Sequence, residues 1–262
     1  MAFTTFLLAF FNTLFQSQPG RVRRMVSKAT RLVLLRHGQS QWNLENRFTG
    51  WFDVDLTEKG VAEASRAGEL LSAAGIRPDV VHTSLQTRAI ATANLTLASA
   101  DRLWVPVRRS WRLNERHYGS LTGLNKEETV AIHGAEQVHL WRRSYSTAPP
   151  EMPSNHPYNP NDDLRYASVP NNLLPRSECL ADVLQRLIPY WEGPLSEDLR
   201  HSETVLVAAH GNSLRGLVKH LEAIPDDKIS DLEIPTGAPL VYDLDINLEP
   251  VESLPIADRY LS

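Results

Sequence analysis

Two histidines of this 262-residue chain come directly after apolar runs of sequence. Arg36-His37-Gly38 follows the apolar residues 32–35, and His210-Gly211 follows the apolar residues 205–209. An imidazole nitrogen can act as a nucleophile, and a second imidazole at the same place can stabilise the charge that develops. The repeated pattern therefore predicts a two-histidine site rather than an isolated structural histidine.

The transfer of a phosphoryl group is the chemistry that best suits this pattern. Charge in that reaction spreads over the equatorial oxygens, so the site needs several fixed cations around one acceptor nitrogen. Arg36 and Arg88 are the first candidates for these cations, and the amides after His37 face an anion in the same way. The sequence therefore predicts a site for phosphoryl transfer in which an imidazole nitrogen is the acceptor.

The elements that must position these residues alternate between strands and helices. Apolar runs predict strands at residues 32–35, 80–83, 102–107, 204–209 and 240–244. Helical spacing and capping residues predict helices from a Thr57 cap to Gly75, from a Ser84 cap through residues 85–97, and from Asn212 through His220. This order predicts a single α/β domain of three layers, α/β/α, with an open and mostly parallel sheet. Ligands bind at the carboxyl ends of such strands, where both His-Gly pairs fall.

Two segments stand apart from that pattern. Residues 147–175 are rich in Pro, Asn and Asp and form the second half of a long Pro-rich insertion at about 114–176, which is either a lid over the site or disordered. Residues 1–30 join an apolar stretch, too short to span a bilayer, to a basic one. They are interpreted as an N-terminal extension, either disordered or upstream of a true start at Met25, so that the catalytic domain covers residues 31–262.

The composition excludes several classes of protein. A formal charge of −4, from 27 basic and 31 acidic residues, gives no general attraction to nucleic acid or to an anionic membrane. The single cysteine, Cys179, excludes an intrachain disulfide framework and a thiol cluster for zinc. The remaining histidines form no metal-binding pattern, so the sequence predicts no metal, no nucleic-acid partner and no membrane partner.

Several blocks of the sequence resemble one family closely. Residues 32–43, which read LVLLRHGQSQWN, resemble the signature of the histidine phosphatase superfamily. Further blocks, which follow one another in the family's order, resemble the bisphosphoglycerate-dependent phosphoglycerate mutase branch. They are NRFTGW at 46–51, LNERHYG at 113–119, GLNK at 123–126, WRR at 141–143, AAHGNSLR at 208–215, IPTG at 234–237 and PLVY at 239–242.

The resemblance implies a cytoplasmic isomerase of glycolysis and gluconeogenesis that interconverts 3-phosphoglycerate and 2-phosphoglycerate through a phosphohistidine. It implies priming by 2,3-bisphosphoglycerate, no metal, and a homodimer or homotetramer. The catalytic residues it implies are His37, Glu115 as general acid and base, His210, Arg36 and Arg88. The substrate-binding residues it implies are Arg36, Ser40, Asn43, Thr49, Gly50, Arg88, Glu115, Arg116, Tyr118, Lys126, Arg142, Arg143, Gly211 and Asn212.

Two other functions stay open. A histidine phosphatase for a small organic or sugar phosphate would use the same His37, and a non-catalytic phosphate sensor would keep only the fold. The surplus cations Lys126, Arg142 and Arg143 favour a mutase, because an intermediate with two phosphates must be retained. The chain ends at Ser262 without the longer tail of this branch, which favours hydrolysis. Gln39 stands where most of the family carries Glu, and the loss of this negative charge beside the phosphate-binding residues is expected to have a modest effect.

Overall fold

A five-stranded sheet forms the centre of the protein, whose computed structural model describes residues 30–160 and 163–262. The strands are β1 (Thr30–Arg36), β2 (Val80–Thr83), β3 (Val107–Arg109), β4 (Thr204–Ala209) and β5 (Pro239–Leu244), in the spatial order β3-β2-β4-β1-β5. All neighbouring pairs are parallel except β1 and β5, which are antiparallel. The predicted mostly parallel sheet is confirmed, whereas the predictions for residues 1–29 lie outside the described part of the chain.

Helices cover both faces of this sheet. The α-helices of the described residues are α1 (Gln41–Leu44), α2 (Glu58–Ala73), α3 (Thr87–Ser99), α4 (Lys126–His133), α5 (Ala135–Arg143), α6 (Leu180–Tyr190), α7 (Ser196–His201) and α8 (Gly211–Leu221). One core lies between the sheet and α2 with α3, and a second core lies between the sheet and α6 with α8. The predicted three-layer architecture is therefore confirmed. No helix of the described residues is long and apolar enough to cross a membrane.

Strand β1 contributes to both cores because its alternate side chains point to opposite faces of the sheet. Leu32 and Leu34 pack towards α6 and α8, while Val33 and Leu35 pack towards α2 and α3, and all four are fully buried. The parallel register of β1 and β4 then places the two strand ends side by side. It follows that the two histidines which leave these strands meet at one edge of the sheet.

The structure corrects two predicted elements. Helix α3 begins at Thr87 with Gln86 as its N-cap, and not after a Ser84 cap, because the Ser84 hydroxyl accepts a hydrogen bond from the Gln86 amide (3.1 Å) before the helix starts. Strand β3 covers Val107–Arg109 rather than residues 102–107. Residues 102–105 instead form a turn, closed by a bond from the amide of Val105 to the carbonyl of Arg102 (3.2 Å).

The predicted insertion contains α4, α5 and several short 3₁₀ turns that pack on the domain. The amide of Ser120 donates to the Pro150 carbonyl (2.9 Å), and the Ser177 hydroxyl donates to the Pro149 carbonyl (2.6 Å). The ring of Tyr166 is buried against Trp51, with centroids 4.7 Å apart. The described residues of this segment therefore belong to the packed structure, and its function as a lid stays a prediction.

Candidate active site

A pocket opens where β1 and β4 end, and it is bordered by α3, α4, α5 and α8. Most of the residues predicted for the site line this pocket: Arg36, His37, Asn43, Thr49, Gly50, Arg88, Glu115, Tyr118, Lys126, Arg142, Arg143, Gly211 and Asn212. Ser40, Arg116 and His210 lie next to lining residues without lining the pocket themselves. The sequence motifs are therefore brought together from five separate parts of the chain.

The ring of His37 is buried, and one of its nitrogens has a fixed partner. Nδ1 lies 2.7 Å from the carbonyl oxygen of Gly38, which can only accept a hydrogen bond, so Nδ1 carries the proton. Burial lowers the pKa of His37 well below its usual value, and the charges of Arg88 and Arg36 lower it further. His37 is accordingly neutral at physiological pH, with the lone pair on Nε2, as a nucleophile requires.

Close backbone contacts hold the turn that follows His37. A Cβ atom on Gly38 would lie 2.2 Å from the carbonyl oxygen of Gly60, and a Cβ atom on Gly60 would lie 2.1 Å from that of Gln39. Only glycine allows this approach, which brings the first turn of α2 against the turn. Thr57, the N-cap of α2, also donates its hydroxyl to the carbonyl of Gln39 (3.2 Å).

His210 stands behind the pocket with its ring edge-on to that of His37. The two ring centroids are 5.0 Å apart, and Nε2 of His210 lies 2.8 Å from the Ser84 hydroxyl. Burial lowers the pKa of His210 well below its usual value, with further contributions from Arg88 and from His37. A dianionic phosphoryl group beside this ring would oppose that effect and favour the protonated form.

Arg36 and Arg88 hold their guanidinium groups through backbone carbonyls rather than carboxylates. Arg36 donates to the carbonyl of Ile234 (2.7 Å). Arg88 donates to the carbonyls of Gly50 (2.8 Å) and Phe52 (3.1 Å) and is only 1% exposed. Because a carbonyl neutralises no charge, both arginines keep their positive charge for an anion in the pocket.

Glu115 is the buried carboxylate of the pocket, and it is 8% exposed. Its Oε1 accepts hydrogen bonds from the backbone amides of Arg116 (2.7 Å) and Asn212 (3.2 Å), the latter in the first turn of α8. These two amides orient one carboxylate oxygen, so the second oxygen remains to exchange a proton with a ligand. The placement suits the acid–base function implied by the resemblance.

The far wall of the pocket carries most of the remaining positive charge. Lys126 comes from the first turn of α4, and Arg142 and Arg143 come from the last turn of α5. Burial lowers the pKa of Lys126 from its usual value. Arg143 forms an ion pair with Glu233 at the exposed rim.

Two of the predicted residues that do not line the pocket support residues that do. Ser40 is the N-cap of α1, and it exchanges hydrogen bonds with Asn43: its hydroxyl accepts from the Asn43 amide (3.3 Å), and its own amide donates to Oδ1 (3.1 Å). Arg116 is fully buried and donates to the carbonyl of Arg142 (2.9 Å). Its guanidinium carbon lies 4.7 Å from the centre of the Tyr118 ring.

Five lining residues were not among the predicted site residues: Arg47, Phe48, Arg215, Glu233 and Ile234. All except Glu233 stand inside sequence blocks that resemble the mutase branch, so the blocks themselves were the signal. Arg215 joins two walls, since it donates to Oδ1 of Asn212 (3.0 Å) and to the carbonyl of Arg143 (3.3 Å). Glu233 had no signal, because nothing in the sequence places it near Arg143.

In the described part of the chain, no group of three or more His, Cys, Asp or Glu residues could hold a metal ion.

Comparison of the sequence with known proteins gives close relatives. Residues 32–247 match the model of the histidine phosphatase superfamily, branch 1. The chain is 59% identical over 228 residues to the 2,3-bisphosphoglycerate-dependent phosphoglycerate mutase of Streptomyces griseus, covering 87% of this chain and 90% of the relative. It is also 59% identical over 220 residues to the enzyme of the same name from Nocardia farcinica, covering 84% and 89%.

Solved structures with the same fold include phosphatases. A mycobacterial glucosyl-3-phosphoglycerate phosphatase aligns with a TM-score of 0.65 and 25% identity, over 85% of this chain and 95% of that one. The protein YhfR of Bacillus stearothermophilus aligns with a TM-score of 0.64 and 28% identity, over 86% and 96%. The fold is thus shared by proteins named as mutases and by proteins named as phosphatases, so the fold by itself does not distinguish transfer from hydrolysis.

Proposed function

The chain belongs to the histidine phosphatase superfamily, as its motifs predict, and on that premise we propose that it is a 2,3-bisphosphoglycerate-dependent phosphoglycerate mutase. It interconverts 3-phosphoglycerate and 2-phosphoglycerate, a step of glycolysis and gluconeogenesis. The sequence identity to curated mutases over most of both chains supports this activity above the phosphatase alternative.

The observation that carries the proposal is the excess of cations in one pocket. Seven basic side chains line it against two carboxylates, Glu115 and Glu233; the basic residues are Arg36, Arg47, Arg88, Lys126, Arg142, Arg143 and Arg215. One phosphoryl group beside His37 needs only the nearest of these. A phosphoglycerate brings a phosphate and a carboxylate, and bisphosphoglycerate brings a second phosphate, so the remaining cations match the substrate's charge.

His37 accepts and returns the phosphoryl group in this proposal. Its Nε2 lone pair forms a bond to phosphorus as the bond from phosphorus to the substrate oxygen breaks, and the reverse step regenerates free His37. Arg36, Arg88 and Asn43 hold the oxygens of the transferring group, and His210 stabilises its charge. Because these groups are fixed before the substrate arrives, they reorganise little during the reaction.

Glu115 moves the proton that each transfer requires. When a substrate hydroxyl attacks the phosphoryl group on His37, the hydroxyl loses its proton to the carboxylate of Glu115 as the new P–O bond forms and the N–P bond breaks. In the opposite step Glu115 returns the proton to the leaving oxygen. Its contacts with the amides of Arg116 and Asn212 keep the carboxylate in one orientation for both steps.

The pocket also fits the priming molecule. 2,3-Bisphosphoglycerate supplies the phosphoryl group that first loads His37. Lys126, Arg142, Arg143 and Tyr118 would hold its second phosphate and its carboxylate, with Arg116 contributing through its contact with Tyr118 and Ser40 through Asn43. Thr49, Gly50, Gly211 and Asn212 complete the wall. No metal is required in this proposal, because the arginines supply the positive charge.

The cellular setting of the enzyme belongs to the proposal as well. A glycolytic substrate favours cytoplasmic localisation, and homodimers or homotetramers are expected from the resemblance to the mutase branch. Light scattering on the purified chain measures the mass directly: a particle of two or four chains agrees with this expectation, and a monomer contradicts it.

The activity is tested by following 2-phosphoglycerate and inorganic phosphate together from 3-phosphoglycerate, with a chelator present and with or without catalytic 2,3-bisphosphoglycerate. A mutase forms 2-phosphoglycerate quickly and only after priming, and the His37→Ala variant forms neither product. If inorganic phosphate dominates for the wild type, the protein is a phosphatase. If neither product forms, the proposal is wrong for this substrate.

A further inference from the structure

The side-chain amide of Gln86 is completely buried between two walls of the pocket. Its Oε1 accepts a hydrogen bond from the backbone amide of Glu115 (2.8 Å), and its Nε2 donates to the backbone carbonyl of Gly50 (2.8 Å). The orientation of the amide is unambiguous, because the reverse orientation would place a donor against a donor and an acceptor against an acceptor. Gln86 thus links the backbone of Glu115, the carboxylate of the pocket, to the backbone of Gly50, which lies in the wall around Arg88.

A buried arginine also binds the backbone at each end of this link. The carbonyl of Gly50 also accepts from Arg88 (2.8 Å), so Gln86 and Arg88, two residues apart at the start of α3, bind one oxygen. The peptide of Glu115 is fixed on its other side by Arg186, which donates to the Glu115 carbonyl (3.0 Å). Through these two bonds, Gln86 couples the backbone of Glu115 to the backbone of Gly50, which also binds Arg88.

We propose that Gln86 is a positioning residue for the phosphoryl transfer, which sets the place of Glu115 relative to the phosphate-binding Arg88 and Gly50. This inference rests on the proposed function and adds to it a residue that touches no substrate. Its effect should appear in kcat more than in KM, because proton transfer and phosphoryl transfer depend on a near-attack geometry that is sensitive to shifts of about 1 Å. Binding depends mainly on cations that the substitution leaves in place.

Gln86→Met tests the inference, because methionine has a similar length and no hydrogen-bonding amide. We expect kcat of the primed enzyme to fall about 10- to 100-fold and KM for 3-phosphoglycerate to change by less than about threefold. Thr96→Val is the matched control: it removes another buried hydrogen bond of α3, from the Thr96 hydroxyl to the Ala64 carbonyl (2.9 Å), far along the helix from the pocket. The control should lose stability while its kcat stays within about twofold of the wild type.

Gln86→Glu provides a second variant in case the methionine variant does not fold. A protonated carboxyl can donate to the Gly50 carbonyl and accept from the Glu115 amide as the native side chain does, whereas the ionised form cannot donate. Burial raises the pKa of such a carboxyl. The ratio of variant to wild-type kcat should therefore rise as the pH is lowered, and no such rise is expected from a purely structural residue.

The outcomes separate this inference from the function on which it rests. If the wild type shows primed mutase activity and Gln86→Met keeps its kcat within twofold while losing as much stability as Thr96→Val, Gln86 is only structural and the inference is wrong. The same conclusion follows if Gln86→Glu has the kcat of the wild type at a pH at which the introduced carboxyl is ionised. If the wild type itself shows no mutase activity, the proposed function fails first.

Discussion

Glu233 forms an ion pair with Arg143 at the rim of the pocket. In the described part of the chain, Glu115 and Glu233 are the only two carboxylates that line the pocket. The Glu233 side chain is 72% exposed, whereas that of Arg143 is 22% exposed. The hydrogen bond from Arg143, together with the charge of that arginine, lowers the pKa of Glu233, so the carboxylate is ionised at physiological pH. An anionic substrate that binds Arg143 must compete with this carboxylate.

We therefore expect Glu233→Gln to lower KM for 3-phosphoglycerate by about two- to fivefold with little change in kcat, since exposed ion pairs are worth at most about 1 kcal/mol. Initial rates at several salt concentrations measure the effect, which should shrink as salt screens the pair. Glu151→Gln is the control, because Glu151 is about as exposed as Glu233, forms an ion pair with Arg176 and does not line the pocket. An unchanged KM for Glu233→Gln would show that the pair does not compete with substrate.

Arg186 and Glu178 form a buried ion pair beneath the backbone of Glu115. Arg186 donates through Nε to Glu178 (2.6 Å) and through Nη2 to the carbonyls of Asn114 and Glu115 (both 3.0 Å). We expect Glu178→Gln to lower the free energy of unfolding by about 3–5 kcal/mol, because it leaves a buried guanidinium without its counter-charge. Urea denaturation measures this loss. A decrease below 1 kcal/mol would mean that the carbonyls alone satisfy Arg186.

His117 makes stability depend on pH. Burial lowers its pKa to about 3, with a further contribution from the charge of Arg186, and its Nδ1 accepts a bond from the Gly119 amide (3.0 Å). The unfolded chain takes up a proton here below about pH 6.5 and the folded chain does not, so stability is complete above that pH and is lost as the pH falls towards 3. At pH 5, the difference between the two pKa values of His117 lowers the free energy of unfolding by about 2 kcal/mol.

Urea denaturation of the wild type and His117→Asn between pH 5 and 8 checks this dependence. Asparagine keeps an acceptor for the Gly119 amide but has no titrating group. Below pH 6.5 the free energy of unfolding of the variant should therefore change less steeply with pH, and the difference in slope should correspond to at most one bound proton. Equal slopes for the two proteins would assign the pH dependence to other groups. The same substitution at the exposed His201, His201→Asn, is the control.

The sequence predicted those parts of the site that depend on strand ends and on family motifs. His37, Arg36 and His210 leave parallel neighbouring strands, so their proximity follows from the sheet alone. Glu115 and Arg142 come from loops and helices without a periodic signal, and only the resemblance of their blocks to a family indicated them. Gln86 and Glu233 carried no signal, because each acts through a contact with a residue that is distant in sequence.

The errors in the predicted elements have a similar cause. Ser84 has the usual properties of a helix cap, yet its hydroxyl is directed to His210 and to the amide of Gln86, so the helix begins later. The apolar residues of 102–107 suggest a strand, but Trp104 is 72% exposed and stacks with Arg102, whose guanidinium carbon lies 4.3 Å from the ring centroid. Tertiary contacts decided both cases, and local sequence does not encode them.

Two glycines in helices should respond in opposite ways to the same substitution. A Cβ atom on Gly60 would lie 2.1 Å from the carbonyl oxygen of Gln39, in the turn that follows His37. The backbone cannot move aside there without moving His37, so Gly60→Ala should cost at least about 2 kcal/mol of stability and lower kcat about tenfold or more.

A Cβ atom on Gly216 in α8 would meet only the flexible side chain of Leu184, at 3.5 Å. Gly216→Ala should therefore keep full activity and stabilise the protein by about 0.5–1 kcal/mol, because alanine favours a helix interior. Thermal denaturation and mutase rates of the two variants measured side by side test the argument, and a Gly60→Ala enzyme as active and as stable as Gly216→Ala would contradict the close packing of α2 against the nucleophile turn.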